Sequence, residues 1–156
     1  MERKQNDGGI TANLINDILE NICLLNNIEE PEQLGNNPSQ DQQTKYNQEL
    51  KEYEHKIDIL TLYIKAICQQ ILIKTNRRMF IPELKYVVID LVNDKYNNSN
   101  DLSSDSLQSI QSMSEAGRSV NFGVSNALTN KINLIVQKQL KDNDQMINQY
   151  KLLYKS

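Results

Sequence analysis

The sequence IDILTLYIKAICQQILI, residues 57–73, is the longest strongly apolar stretch of the chain. Its apolar side chains fall at three- and four-residue spacings and also fill most of the positions between them. A helix that is apolar on almost every side is buried on most of them. The stretch therefore predicts a central buried helix against which the other elements pack.

The helical pattern extends from this stretch in both directions, and predicts one long helix over residues 41–78. At about 1.5 Å per residue, such a helix would be on the order of 57 Å long, more than a compact domain of this size spans. We therefore expect its polar first part, 41–56, to project as an arm or to be set apart by a bend. Apolar residues also recur along it with heptad spacing: Leu50, Tyr53, Ile57, Leu60, Ile64, Ile67 and Ile71.

A second helix is predicted to begin at Pro82, because proline suits the first helical turn, where its missing N–H would have no partner in any case. Its apolar face consists of Leu84, Val87, Val88, Leu91 and Val92. The link of residues 79–81 is so short that the two helices should pack side by side. This helical pair, 41–97, is the predicted core.

The flanking segments also carry helical patterns. Thr11 is a suitable N-cap for an amphipathic helix over residues 12–26, and a link with Pro31, Gly35 and Pro38 completes the N-terminal segment 1–40. Near the other end, Asn126 is the predicted cap of a C-terminal helical segment, 126–156. The sequence Asp142-Asn143-Asp144 should weaken or bend that segment.

Residues 107–123 differ from the rest of the chain because their apolar side chains alternate with a period of two. Gly117 lies between the two alternating runs, where a tight turn fits at little steric cost. The pattern predicts a β-hairpin. It also allows a surface hairpin with no role. Its notable side chains are Ile110, Met113, Gly117, Arg118, Val120 and Phe122. The predicted fold is a single domain, 1–156, which is mostly α: a small helical bundle with a long central helix and one short β-hairpin.

Composition argues against several classes of function. The formal net charge is −3, and nothing indicates the basic patch with which proteins grip nucleic acid. No apolar run approaches the ~20 residues of a membrane span, and the N-terminus does not resemble a signal peptide. Cys23 and Cys68 lie in apolar helices and are predicted to be buried, reduced and structural. With one histidine, they do not form a usual zinc site.

No motif of catalysis is found. Glycine-rich phosphate loops, Gly-x-Ser-x-Gly and His-Glu-x-x-His are absent from the sequence. His55 lies among charged residues, and Asp142 with Asp144 lacks the glycine and closing glutamate of a calcium loop. We therefore expect no enzyme activity, no cofactor and no metal. The opposing hypothesis is that the protein is a small enzyme with an unrecognised site.

Three segments carry a resemblance to a known family. Residues 109–123, SIQSMSEAGRSVNFG, are similar to the hairpin signature of the head–tail connector (adaptor) proteins of long-tailed bacteriophages. Residues 81–92, IPELKYVVIDLV, resemble the Ile-Pro-x-x-Leu-x-x-x-Val helix of that family, which follows an Asn-Arg pair such as Asn76-Arg77. Residues 149–153, QYKLL, resemble its closing Tyr-x-x-Leu. The resemblance covers residues 57–156, and the Asn/Gln-rich N-terminal third departs from it.

The resemblance implies a structural protein of the virion, assembled in the host cytoplasm. It implies a ring of twelve subunits below the portal protein that extends the DNA channel and seats the next connector (stopper) or tail-terminating component. Genomic DNA would pass through without sequence-specific binding, which the negative charge favours, and no membrane is involved. Tyr150, Leu153 and Tyr154 would bind the portal, and the hairpin would serve assembly. The alternative is a helical coiled-coil adaptor or regulator that binds a partner helix through the heptad positions.

Overall fold

A computed structural model of the protein describes residues 8–102 and 122–152, and side chains are described in all of these except 122–126. Five helices are found within those ranges. They are α1 (Ala12–Leu25), α2 (Gln40–Lys74), α3 (Pro82–Asn98), α4 (Phe122–Asp142) and α5 (Asp144–Asn148).

Local sequence signals set where the helices begin. The Thr11 side chain accepts a hydrogen bond from the backbone N–H of Leu14 at 3.1 Å, which confirms the predicted N-cap of α1. Ser39 and Gln42 form a capping box at the start of α2, since each side chain accepts from the other residue's backbone N–H. Pro82 occupies the first turn of α3, as predicted. These contacts satisfy amide groups that a helix start otherwise leaves unpaired.

Helix α2 is the central element and runs for 35 residues without a break. Its first buried residue is Ile59, so residues 40–58 form an arm outside the core, the first of the two predicted arrangements. The helix ends at Lys74 and not at residue 78, because Thr75 caps it and Asn76 takes a left-handed backbone conformation with φ of 60°. Asparagine tolerates that conformation better than most residues.

The other helices pack around the apolar half of α2. Helix α1 runs antiparallel to it and parallel to α3, to which it is joined by an Asp17–Lys85 ion pair and a 2.8 Å hydrogen bond from Asn26 to Asn93. The five predicted apolar residues of α3 are all buried, and so are Ile132, Val136 and Leu140 of α4. Helices α2 and α3 pack against each other, as predicted from the short link between them.

Both ends of the described chain converge on the link between α2 and α3. The backbone N–H of Phe80 donates to the Gly8 carbonyl, and that of Leu152 donates to the Thr75 carbonyl, at 2.6 and 2.9 Å. Gly8 has φ of 65°, and a Cβ there would lie 2.6 Å from Leu72 Cδ1. The positive φ favours glycine at this position, and a Cβ would also displace the Leu72 side chain. The link thus holds residues 8 and 152 at one end of the bundle.

The predicted β-hairpin is not borne out, and the fold class is wrong in this respect. The described residues contain no strand, and Phe122, expected on the second strand, is the first residue of α4. An alternation as short as Val120-Asn121-Phe122 is compatible with either a strand or a helix, and the strong helical pattern that follows decides the outcome. Residues 107–121, with Ile110, Met113, Gly117, Arg118 and Val120, lie outside the described residues.

The start of the C-terminal helix also differs from prediction. Asn126 does not cap α4, because the helix begins at Phe122. Within α4, Leu134 is 66% exposed, whereas Ile132 and Val136 are buried. The predicted interruption near Asn143 is confirmed, since α4 ends at Asp142 and α5 begins at Asp144.

Candidate functional site

An apolar groove lies where the end of α1, the link that follows it and the arm of α2 meet. Its volume is about 420 Å³. The apolar part of its lining comprises Leu19, Cys23, Leu24, Ile28, Tyr53 and Ile57, and the polar part comprises Glu20, Asn27 and Glu29. We call this cleft the groove.

The geometry of α1 explains why the groove exists. Ile15, Ile18 and Ile22 point into the core, so the neighbouring stripe with Leu19 and Cys23 lies beside the arm of α2 and is only partly covered. At the end of α1, Asn27 takes a left-handed conformation with φ of 53° and reverses the chain. The link therefore starts along the open side of α1 and places carboxylates at the edge of an apolar surface.

The edge of the groove is acidic. Glu20, Glu29 and Glu30 are exposed, and residues 17–58 as a whole contain ten Asp or Glu residues against three Lys. Burial raises the pKa of the Cys23 thiol, and the Glu20 carboxylate raises it further. The pKa of Tyr53 is also raised, by burial first and then by Cys23 and Glu30. The groove therefore disfavours additional negative charge and suits an apolar group with positive charge beside it.

The two cysteines are expected to differ in reactivity, since Cys23 lines the groove whereas Cys68 is fully buried with a pKa raised by burial to about 12. A thiolate is the reactive species. Cys23 should therefore react with a maleimide in the native protein, whereas Cys68 should react only in denaturant. Intact mass with peptide mapping measures this, with Cys23→Ser as the control. Modification of Cys68 in the native protein would show that the core is open.

A second surface lies at the opposite end of the bundle, where the chain leaves the last helix. The Arg77 side chain donates from Nε to the Tyr150 carbonyl at 2.9 Å, and Asn76 donates to the Leu152 carbonyl at 3.4 Å. Two apolar side chains are exposed beside these contacts, Ile73 at 72% and Met79 at 54%. We call residues 73–81 together with 149–152 the turn end.

Only one of the predicted portal-binding residues falls within the described chain. Tyr150 is half-buried against the core at the turn end, while Leu153 and Tyr154 lie outside the described residues. Of the residues predicted for assembly, only Phe122 is described, and only as the start of α4. Tyr150 does not line the groove.

A buried polar contact was missed at the sequence level. The Tyr63 hydroxyl donates to the side-chain oxygen of Gln139, and the Gln139 amide donates to the Leu91 carbonyl at 2.6 Å. Tyr63 is fully buried and Gln139 is 5% exposed. One side chain of α4 thus joins α2 to α3. A tyrosine inside an apolar helix is the available signal, because a buried hydroxyl needs a partner.

The groove and the turn end are the candidate surfaces, because each exposes apolar side chains. Within the described residues, no group of three or more His, Cys, Asp or Glu side chains could hold a metal. Among the helices of the described ranges, none is long and apolar enough to cross a membrane.

No family model, no curated protein and no solved structure matches this chain.

Proposed function

We propose that the protein is a structural subunit of a phage head–tail connector, which forms a ring below the portal protein. In this proposal the ring extends the DNA channel and seats the next connector or tail component. The support from sequence is the similarity of residues 81–92, 109–123 and 149–153 to the segments of that family, in the same order. The support from the structure is the turn end.

The arrangement of the turn end is the observation that carries the proposal. The first residues of the segment similar to Tyr-x-x-Leu, up to Leu152, are fixed by their backbone to residues 75–77. Ile73 and Met79 are exposed beside it. Large apolar anchors that a rigid body presents often dominate a protein interface. The turn end is therefore the proposed contact with the portal, with Tyr150, Leu153 and Tyr154 as its anchors.

The alternative, a coiled coil with a partner helix, is weakened because most of the heptad positions are buried in the protein's own core. Of the seven heptad positions on α2, the four from Leu60 to Ile71 are buried within the chain itself. Only Leu50, Tyr53 and Ile57 stay half-buried, and the last two line the groove. Three positions are fewer than a heptad seam needs for a stable pairing. An assembly subunit with separate contact surfaces accounts for the exposed residues better.

Truncation after Leu152 tests this proposal. It leaves every described contact of the turn end in place, so we expect an unchanged melting temperature. Because it removes Leu153 and Tyr154, we expect co-sedimentation with the portal protein of the same virus to fall at least tenfold. The measurement pairs thermal unfolding with sedimentation of portal mixtures.

A matched control is Tyr86→Ser, which removes an exposed aromatic side chain on α3, outside the turn end, and should leave portal binding unchanged. Full binding by the truncated chain would place the portal contact elsewhere. Absence of binding by the intact chain would overturn the connector function itself.

A further inference from the structure

We propose that the groove is the docking site for helix α4 of a second copy of this chain. This inference rests on the proposed function in one respect, that the subunits form a ring. It adds which two surfaces meet. The occupant is identified by a stripe on α4 whose shape and charge complement the groove.

The stripe consists of Leu134, Lys138 and Lys141, and we call it the basic stripe. At about 100° per residue, these three positions fall on one side of α4. The buried residues Ile132, Val136 and Gln139 fall on the other side. All three stripe residues are exposed. Few large apolar side chains of the described chain are exposed, and Leu134 is one of them. The outward face of α4 therefore presents one aliphatic side chain with two ammonium groups.

The groove offers the complementary surface. Its lining is mostly apolar, its volume is about 420 Å³, and Glu20 and Glu29 belong to the same lining. Carboxylates around an apolar floor favour an apolar side chain that is flanked by lysines. Asp101, the carboxylate near Lys138, already pairs with Lys95 at 2.8 Å, and the hydrogen bond from Lys95 is the main cause of its lowered pKa. Lys138 can therefore pair with a carboxylate of a second subunit.

The acidic and basic residues are concentrated in different parts of the sequence. Residues 17–58 hold ten acidic residues against three lysines, whereas residues 59–156 hold twelve Lys or Arg against eight Asp or Glu. The acidic part lines the groove, and the basic part bears the stripe. Because α1 and α4 are separate helices against the central α2, one copy can offer its stripe while its own groove receives another. Such head-to-tail contacts build closed rings or open chains, not isolated dimers.

A charge exchange tests the pairing. Glu20→Lys with Glu29→Lys makes the groove basic, and Lys138→Glu with Lys141→Glu makes the stripe acidic. In either double variant alone, like charges face each other at every contact between subunits. We therefore expect its self-association to be at least tenfold weaker than that of the unmodified chain. An equimolar mixture restores opposite charges at every contact and should regain the assembly. Analytical ultracentrifugation at low ionic strength measures the masses, and added salt should weaken the mixed assembly.

The matched controls carry the same charge changes outside the two surfaces. Lys65→Glu on α2 and Asp90→Lys on α3 alter exposed residues, and neither should change self-association. A mixture of the two double variants that stays monomeric would overturn the inference. An unmodified chain that remains at 18.0 kDa at all concentrations would do the same.

A cross-link locates the contact directly. Leu134→Cys places a thiol on the stripe opposite the native Cys23 of the groove. Oxidation with copper phenanthroline should give a ladder of multimers that disappears when Cys23→Ser is added. Ile73→Cys, an equally exposed position at the turn end, should give no ladder. A dimer that persists without Cys23 would show that two stripes meet and would overturn the proposed docking.

These experiments use the chain alone, so their outcome is separate from portal binding. Ladder formation without portal binding would support the docking and overturn the connector function. Portal binding without a ladder would retain the connector function and overturn the docking.

Discussion

Substitution Ile67→Asp is expected to unfold the bundle. Ile67 has no exposed surface and lies in the buried C-terminal half of α2, which packs against α1, α3 and α4. A carboxylate there has no described basic partner in the apolar core, and an uncompensated buried charge costs about 3–5 kcal/mol. That is a large part of the ~5–15 kcal/mol that stabilises a typical domain. Circular dichroism with urea titration measures the loss.

Gln69→Asp is the control, because Gln69 is exposed on the same helix only two positions later. It should change the free energy of unfolding by less than about 0.5 kcal/mol, as surface substitutions usually do. An Ile67→Asp protein with native helix content and an unchanged urea midpoint would show that α2 is not the centre of the core.

Replacement of Gln139 by leucine has the second largest expected effect. It leaves the buried hydroxyl of Tyr63 without its acceptor, and a buried unpaired polar group costs about 1–3 kcal/mol. The pKa of Tyr63 is already raised well above its ordinary value, by burial first, so ionisation offers no relief near neutral pH. Urea unfolding of Gln139→Leu should show this loss.

The double variant Tyr63→Phe with Gln139→Leu separates the polar contact from packing. When both polar partners are replaced by apolar groups, the cost should largely disappear. If the double variant is as unstable as Gln139→Leu alone, the loss comes from the shape of the leucine and the hydrogen bonds contribute little.

The parts of the fold that the sequence predicted are those with strong local signals. The spacing of Leu84, Val88 and Leu91 with Pro82 before them determined α3, and Thr11 determined the start of α1. Those signals act through neighbouring residues and therefore need no tertiary information. The end of α2 was placed four residues too late, since only the backbone conformation of Asn76 shows where the helix stops.

The parts that could not be predicted depend on which face of a helix meets another helix. Leu134 has the same sequence character as Ile132, yet one is exposed and the other is buried. The hydrogen bonds of Gln139 link residues 48 and 76 positions away, and no local pattern indicates such a partner. The groove was missed for the same reason. The concentration of carboxylates in residues 17–58 was nevertheless a signal in the sequence for an acidic surface.

Electron microscopy of the protein mixed with its proposed partner, the portal protein, tests the proposed connector function. We expect a ring of this chain on one end of each portal, with the turn end against the portal and α4 of each subunit in the groove of its neighbour. Portals that stay bare at saturating concentrations of the intact chain would contradict it.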